Sequence, residues 1–381
     1  MCYNEYIKEN INFSYCLGKG GDYMGLYLKD IFAAIAVVFN AIPMAVFSLS
    51  YGFAAFPTAL GFIVGGFGMA LTHQIAPISL QAESIVLAGT ISHDRNERLN
   101  IIFYSGIVMA VLGFCGVLTK TMDFIGPCIL NAMLAGVGLM LAKAGFDMIK
   151  QDKFVSAVSM ASALIVYFAT NDLIWTIAFS VILSTIAHLV RTKVTGDAGN
   201  MLEIDMSKEK LIPLKLTCNM HIVRSVLAVC TLQIGGNIAY ATITAGIAGE
   251  TANVDAITVY SGLADSASAF FGGGPVEAII SGTAAAPHPI LAGIMLAAIV
   301  AAIFLTRTIT RIAKYIPAET ISGFLFVLGA FAVFPQDATA ALTEDPVVGG
   351  CVIIVTSFSD PFIGMVSGIA LKYALMFLGG M

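Results

Sequence analysis

In a chain of 381 residues, 58% are hydrophobic and only 11% are charged, well under half the charged fraction of about 25% that a soluble domain carries. This composition excludes an ordinary soluble domain and describes a polytopic membrane protein. A net charge of −5 argues against a nucleic-acid partner, which needs a basic face.

Residues 1–27 hold no long apolar region and read as an N-terminal tail rather than a cleaved signal peptide. Beyond the tail, a spanning helix needs roughly 20 apolar residues. Runs near 30–52, 56–72, 99–119, 124–142, 154–169 and 173–190 meet that need, with a short segment at 79–91 between the second and third. The first repeat is therefore placed at 28–190. A polar connector follows over 191–222, and the second repeat covers 223–381. It has runs near 224–248, 254–272, 288–306, 315–334, 347–358 and 360–379, and again a short segment at 276–287. The expectation is 14 spans as two seven-span repeats. An odd number of spans per repeat inverts the second copy in the membrane, as in many secondary transporters.

Local matches support the repeat. Phe124-Ile125-Gly126-Pro127 leads to an apolar stretch ending at Gly138, and Tyr315-Ile316-Pro317 leads to one ending at Gly329. Pro77 precedes the first short segment and Pro275 the second. The seven cysteines form no CxxC and sit mostly in apolar runs. They read as small core hydrophobes, with no disulfide frame and no metal site.

No Lys or Arg occurs between Arg224 and Arg307. Inside that interval an apolar segment ends on Phe270-Phe271 and breaks on Gly272-Gly273-Gly274-Pro275, with Glu277 two residues further on. The run Gly-Gly-Gly-Pro cannot continue a helix, because glycine is entropically poor there and proline removes a donor. The spacing predicts a half-helix over 276–287 that begins inside the membrane with Glu277 at its N-terminus, where free amides favour negative charge.

The stretch LADSASAFFGGGPVEAIISGTAAA, the motif Gln233-Ile234-Gly235-Gly236-Asn237 and the stretch IPAETISGFLFVLGA from Ile316 to Ala330 together resemble the xanthine/uracil permeases of the nucleobase–cation symporter group. The resemblance covers roughly 28–380. It implies an all-α polytopic membrane protein of 14 spans with a short strand plus half-helix in spans 3 and 10. It also implies a core domain (spans 1–4 and 8–11), a gate domain (5–7 and 12–14) and a homodimer through the gate domains. Sulfate- and bicarbonate-type anion transporters share that fold, so fold alone does not fix the substrate. The sequence departs from the family in three places. The family's Gln-x-His in the first span is absent here, the corresponding run having only Asn40. Gln233 stands where the family has a carboxylate against the nucleobase, and Asn237 replaces a second acid.

Glu277 is the leading binding residue, because a carboxylate at bilayer depth costs about 2.5 kcal/mol or more unless paired or protonated. Glu83 and Gln81, in the first short segment, come opposite it by pseudo-symmetry. Gln233 and Asn237 lie one helical turn apart and so share a face, and their amides suit a heterocycle's mixed edge. Val276 completes the substrate-binding set. Glu277, Glu83 and Asp265 are the groups for proton coupling, with Asp265 also readable as a lock to neighbouring backbone. Changing Gln233→Glu is expected to restore a family-like acidic pair.

No GxSxG, HExxH or P-loop occurs, so an enzyme and an ATP-driven pump are both unexpected. The expected function is secondary transport of a purine or pyrimidine base in a multi-pass cell-membrane protein. Cation symport, with H+ the expected coupling ion, Na+ the alternative and no other cofactor, would drive an elevator-like shift of core against gate. The alternatives are an organic or inorganic anion carrier of the same fold and, further off, a channel. The resemblance puts both termini in the cytoplasm and the connector outside. The Lys and Arg of the connector argue for the opposite placement.

Overall fold

The computed structural model describes residues 23–195, 205–313 and 315–379. The expected tail lies outside them up to residue 22, and its last residues already belong to the first helix. Part of the connector, 196–204, also lies outside them.

The first half runs as α1 (Tyr23–Ser50), α2 (Ala55–Thr72), strand β1 (Ile78–Leu80), α3 (Ala82–Ile91), α4 (Arg95–Phe114), α5 (Leu118–Ile125), α6 (Pro127–Asp147), α7 (Lys153–Thr170) and α8 (Leu173–Thr195). The second half has α9 (Met220–Ala248), α10 (Val254–Phe270), strand β2 (Val276–Ala278), a 3-10 turn (Gly282–Ala285) and α11 (Pro289–Leu305). It continues with α12 (Thr308–Ala313), α13 (Ser322–Val327), α14 (Phe334–Glu344), α15 (Pro346–Phe358) and α16 (Pro361–Gly379). Among the described residues, nine helices are long and apolar enough to cross a membrane. The shorter α3, α10, α11 and α15 and the β2 segment complete the 14-segment order. Apolar side chains such as Phe67 (65% exposed), Phe114 (86%) and Phe358 (88%) stand on the outer surface. Such a belt is stable only against lipid, so the protein is a multi-pass membrane protein.

Helix limits follow local chemistry. Gly126, at φ 85°, breaks the chain after α5, and Pro127 starts α6 where its missing N–H costs nothing. Asn219 accepts from Ile222 N (2.7 Å) to begin α9, and Asn253 accepts from Ala256 N (3.0 Å) to begin α10. The twelfth segment runs on to Glu344, past the expected limit near 334, through a π turn at Leu328–Val333.

The helices pack in two groups. One joins α2, α4 and α10 with α1, α9 and α11; the other joins α6, α7 and α8 with α13 to α16. These are the core and the gate. Glycines let the backbones approach closely. A Cβ on Gly106 would stand 2.5 Å from Gly262 O, where α4 crosses α10. A Cβ on Gly138 would stand 3.0 Å from Gly329 O, so the two glycines that end the matched stretches face each other across the gate.

The connector packs against one end of the core. Glu209 accepts from Ala55 N (2.9 Å) and Phe56 N (2.7 Å), closing the start of α2. Leu214 N donates to Phe270 O (2.7 Å) and Arg307 donates to Glu209 O (2.9 Å).

Candidate substrate and coupling site

The strands β1 and β2 pair antiparallel at the centre of the core, with Ser79 opposite Glu277, Ile78 opposite Ala278 and Leu80 opposite Val276. This corrects one expectation: Glu277 does not open a half-helix. The partner strand Ile78–Leu80 offers backbone groups to residues 276–278. What remains is too short for a helix, because Ser281 caps a single 3-10 turn and Pro287 and Pro289 follow closely. The first short segment keeps its half-helix, with Gln81 as N-cap and Glu83 in the first turn of α3. The two segments are therefore unequal.

The Gly272–Pro275 break is held from several sides. Thr58 Oγ1 accepts from Gly274 N (2.9 Å), Ser268 Oγ donates to Gly274 O (2.6 Å) and Ala54 N donates to Gly272 O (2.9 Å). A side chain at Gly273 would meet Thr58 N at 2.6 Å, so the break needs glycine there. Gln81 Nε2 donates to Ala278 O, across the sheet.

The polar cluster forms where α9 and α10 flank β2. Asp265 Oδ1 accepts from Val276 N (2.6 Å), while its Oδ2 accepts from Gln233 Nε2 (2.7 Å). The same Nε2 donates to Glu277 Oε1 (2.9 Å). One amide thus bridges two carboxylates, and Asp265 locks the strand backbone. All four residues are buried, Glu277 to 2% exposure and Asp265 to 0%. Tyr240 donates to Glu83 Oε1 (3.3 Å).

Several acceptors are left over. Gln233 Oε1 and Asn237 Oδ1 are buried without a hydrogen-bond partner among the described residues. Ser84 Oγ stands beside the Glu277 carboxylate without a hydrogen bond of sound geometry. A buried polar atom left unpaired costs about 1–3 kcal/mol, and the two amide oxygens are acceptors suited to a group that donates hydrogen bonds or carries positive charge.

The structure thus brings Glu277, Gln233, Asp265 and Val276 together, sets Gln81 across the sheet from them, and leaves Asn237 on the same face of α9. Glu83 is reached through Tyr240 rather than through Glu277. Sequence reasoning missed Tyr240 and Ser84. Tyr240 was findable, since 233, 237 and 240 fall on one helical face.

No family model matches the chain, and no curated protein matches it by sequence. Solved structures do match. The transmembrane domain of a cyanobacterium bicarbonate transporter, BicA, aligns over 90% of this chain and 97% of its own, with TM-score 0.68 and 14% identity. SLC26A9 aligns over 93% of this chain and 66% of its own, with TM-score 0.66 and 13% identity. The murine Solute Carrier 26 family member A9 anion transporter, in its inward-facing state, aligns over 97% and 71%, with TM-score 0.66 and 13% identity.

The chain therefore has the core-and-gate membrane fold with a central antiparallel pair of short strands. It shares that fold with BicA and SLC26A9. The likeness is one of fold, and none of these matches carries the expected membership of the xanthine/uracil permeases.

Proposed function

We propose that the protein is a cation-coupled secondary transporter that moves a small anion by an elevator-like shift of core against gate. The observation that carries the coupling is the buried cluster of Glu277, Asp265 and Gln233, with Gln233 Oε1 and Asn237 Oδ1 unpartnered beside it. An oxygen-rich, buried and acidic site suits a proton or a hard cation such as Na+. The anion assignment is supported by the solved proteins of this fold, which are described as a bicarbonate and an anion transporter. Ionised Glu83 and Glu277 would repel an anion, and a cation held by the carboxylates would offset that charge.

A second reading keeps the nucleobase. The unpaired Gln233 Oε1 and Asn237 Oδ1 are acceptors, and a base edge offers N–H donors to match them. The homodimer through the gate domains belongs to either reading, and the mass of the purified protein in detergent checks it.

Proteoliposomes decide between the readings. Labelled bicarbonate, sulfate, chloride, uracil and xanthine are offered under an inward Na+ gradient, an inward proton gradient and neither. Accumulation of an anion only with a cation gradient is the expected result. Accumulation of a base alone would install the second reading. No solute accumulating under any gradient would sink both, and single-channel conductance in a planar bilayer would replace them with a pore.

A further inference from the structure

A second polar cluster lies away from the strands, at the end of the core where the connector docks. Glu97 sits in the first turn of α4 and His93 just before that helix, while His221 sits in the first turn of α9. One ligand atom from each of the three lies within 4.8 Å of the others. His221 Nδ1 is 2.8 Å from Glu97 Oε1, and the two imidazoles stack with centroids 4.6 Å apart. We propose that His93, Glu97 and His221 form a binding site for one divalent first-row transition metal, of which Zn2+ is the natural choice.

The chemistry of the donor set fits. Two imidazoles and one carboxylate leave a fourth tetrahedral position for water, a common arrangement at open zinc sites. Metal–ligand bonds of about 2.0–2.2 Å set neighbouring ligand atoms on the order of 3.5 Å apart, inside the spread found here. A metal lies in the plane of each imidazole it binds, so His93 has to turn off the stack. It is exposed, and among the described residues its ring makes no hydrogen bond. Glu97 is already fixed, since its Oε2 accepts from His93 N (2.7 Å) and leaves Oε1 directed at His221. The positive ends of α4 and α9 oppose a cation, and the Glu97 carboxylate and the Asp94 cap offset them.

Room and access are present. His93 and His221 line a cleft with an empty volume of about 590 Å³, part of it open solvent, whose far wall is Ser359 and Asp360 at the start of α16. Arg224, one turn beyond His221, pairs with Asp360 (2.9 Å) across that cleft. All three ligands belong to the core group, while Asp360 belongs to the gate. A metal there clips α4 to α9 at the mouth of the core–gate seam.

The test needs no transported substrate, so its failure and that of the transport reading are separate. Tag-free, full-length protein in detergent is titrated with Zn2+ by calorimetry and with Co2+ by visible absorption. The wild type is expected to bind one ion and, with Co2+, to develop ligand-field bands. His93→Ala and His221→Ala should each weaken binding at least about tenfold. Glu97→Gln keeps an acceptor for the His93 amide and should also weaken it, with unchanged gel-filtration behaviour. His73→Asn should leave binding intact. If the wild type binds no more tightly than the His93→Ala/His221→Ala double variant, the cluster only caps α4 and ties it to α9, and the proposal falls.

Discussion

Gln233 is the residue whose role changes most once its surroundings are known. As an amide in place of a family carboxylate it reads as a loss, and Gln233→Glu reads as a repair. In the structure its Nε2 is the donor shared by Asp265 and Glu277. Replacing it with Glu removes that donor and sets three carboxyl groups together in a buried site. Gln233→Glu is therefore expected to lower the thermal midpoint of the purified protein, where a repair would leave it unchanged or raise it. Glu277→Gln removes one charged acceptor while keeping the shape. It should abolish accumulation against a gradient and weaken binding of the coupled solute roughly ten- to a hundredfold, the range for one charged hydrogen bond. Uptake and binding measured on the same preparation separate the two effects. Wild-type accumulation by Glu277→Gln would leave Glu277 as a strand residue with no part in coupling.

At the scale of elements, the crossing of α4 and α10 depends on the absence of two side chains. A Cβ on Gly262 would stand 2.7 Å from Ala110 N, too close unless the helices part. Gly262→Ala should destabilise by about 1–3 kcal/mol, as overpacking does. Gly246, inside α9, has nothing within 4 Å of where a Cβ would go. There Gly246→Ala should be neutral or stabilising by up to about 1 kcal/mol through helix propensity. Thermal unfolding of the two variants in one detergent makes the comparison, and equal effects would mean that the crossing is not close-packed.

For the whole molecule, the loops at one end of the core share a face with the connector, as the bonds from Glu209 and Leu214 show. Cys218 is exposed on that connector, and Cys115 is exposed at the far end of α4. The topology implied by the resemblance puts the connector outside. A membrane-impermeant maleimide applied to intact cells should then label a variant retaining only Cys218 and spare one retaining only Cys115. The reverse pattern would give the decision to the Lys and Arg bias of the connector and invert the molecule.

The sequence by itself determined that the chain lies in a membrane, how many segments it has and where the polar interruptions fall. Those properties depend on composition and on the length of apolar runs, which are local. The glycine–proline break at 272–275 and the matched prolines at 77 and 275 were legible for the same reason. What followed the break was not. Residues 276–278 became a strand because Ile78–Leu80, some two hundred residues away in the chain, supplied the other half of the ladder, and no local propensity encodes a distant partner. The pairing of Gln233 with Asp265 and Glu277, the capping of α2 by Glu209 and the meeting of His93 with His221 arise in the same way. Each joins segments that are far apart along the chain and adjacent only after the helices pack, so only the tertiary structure decided them.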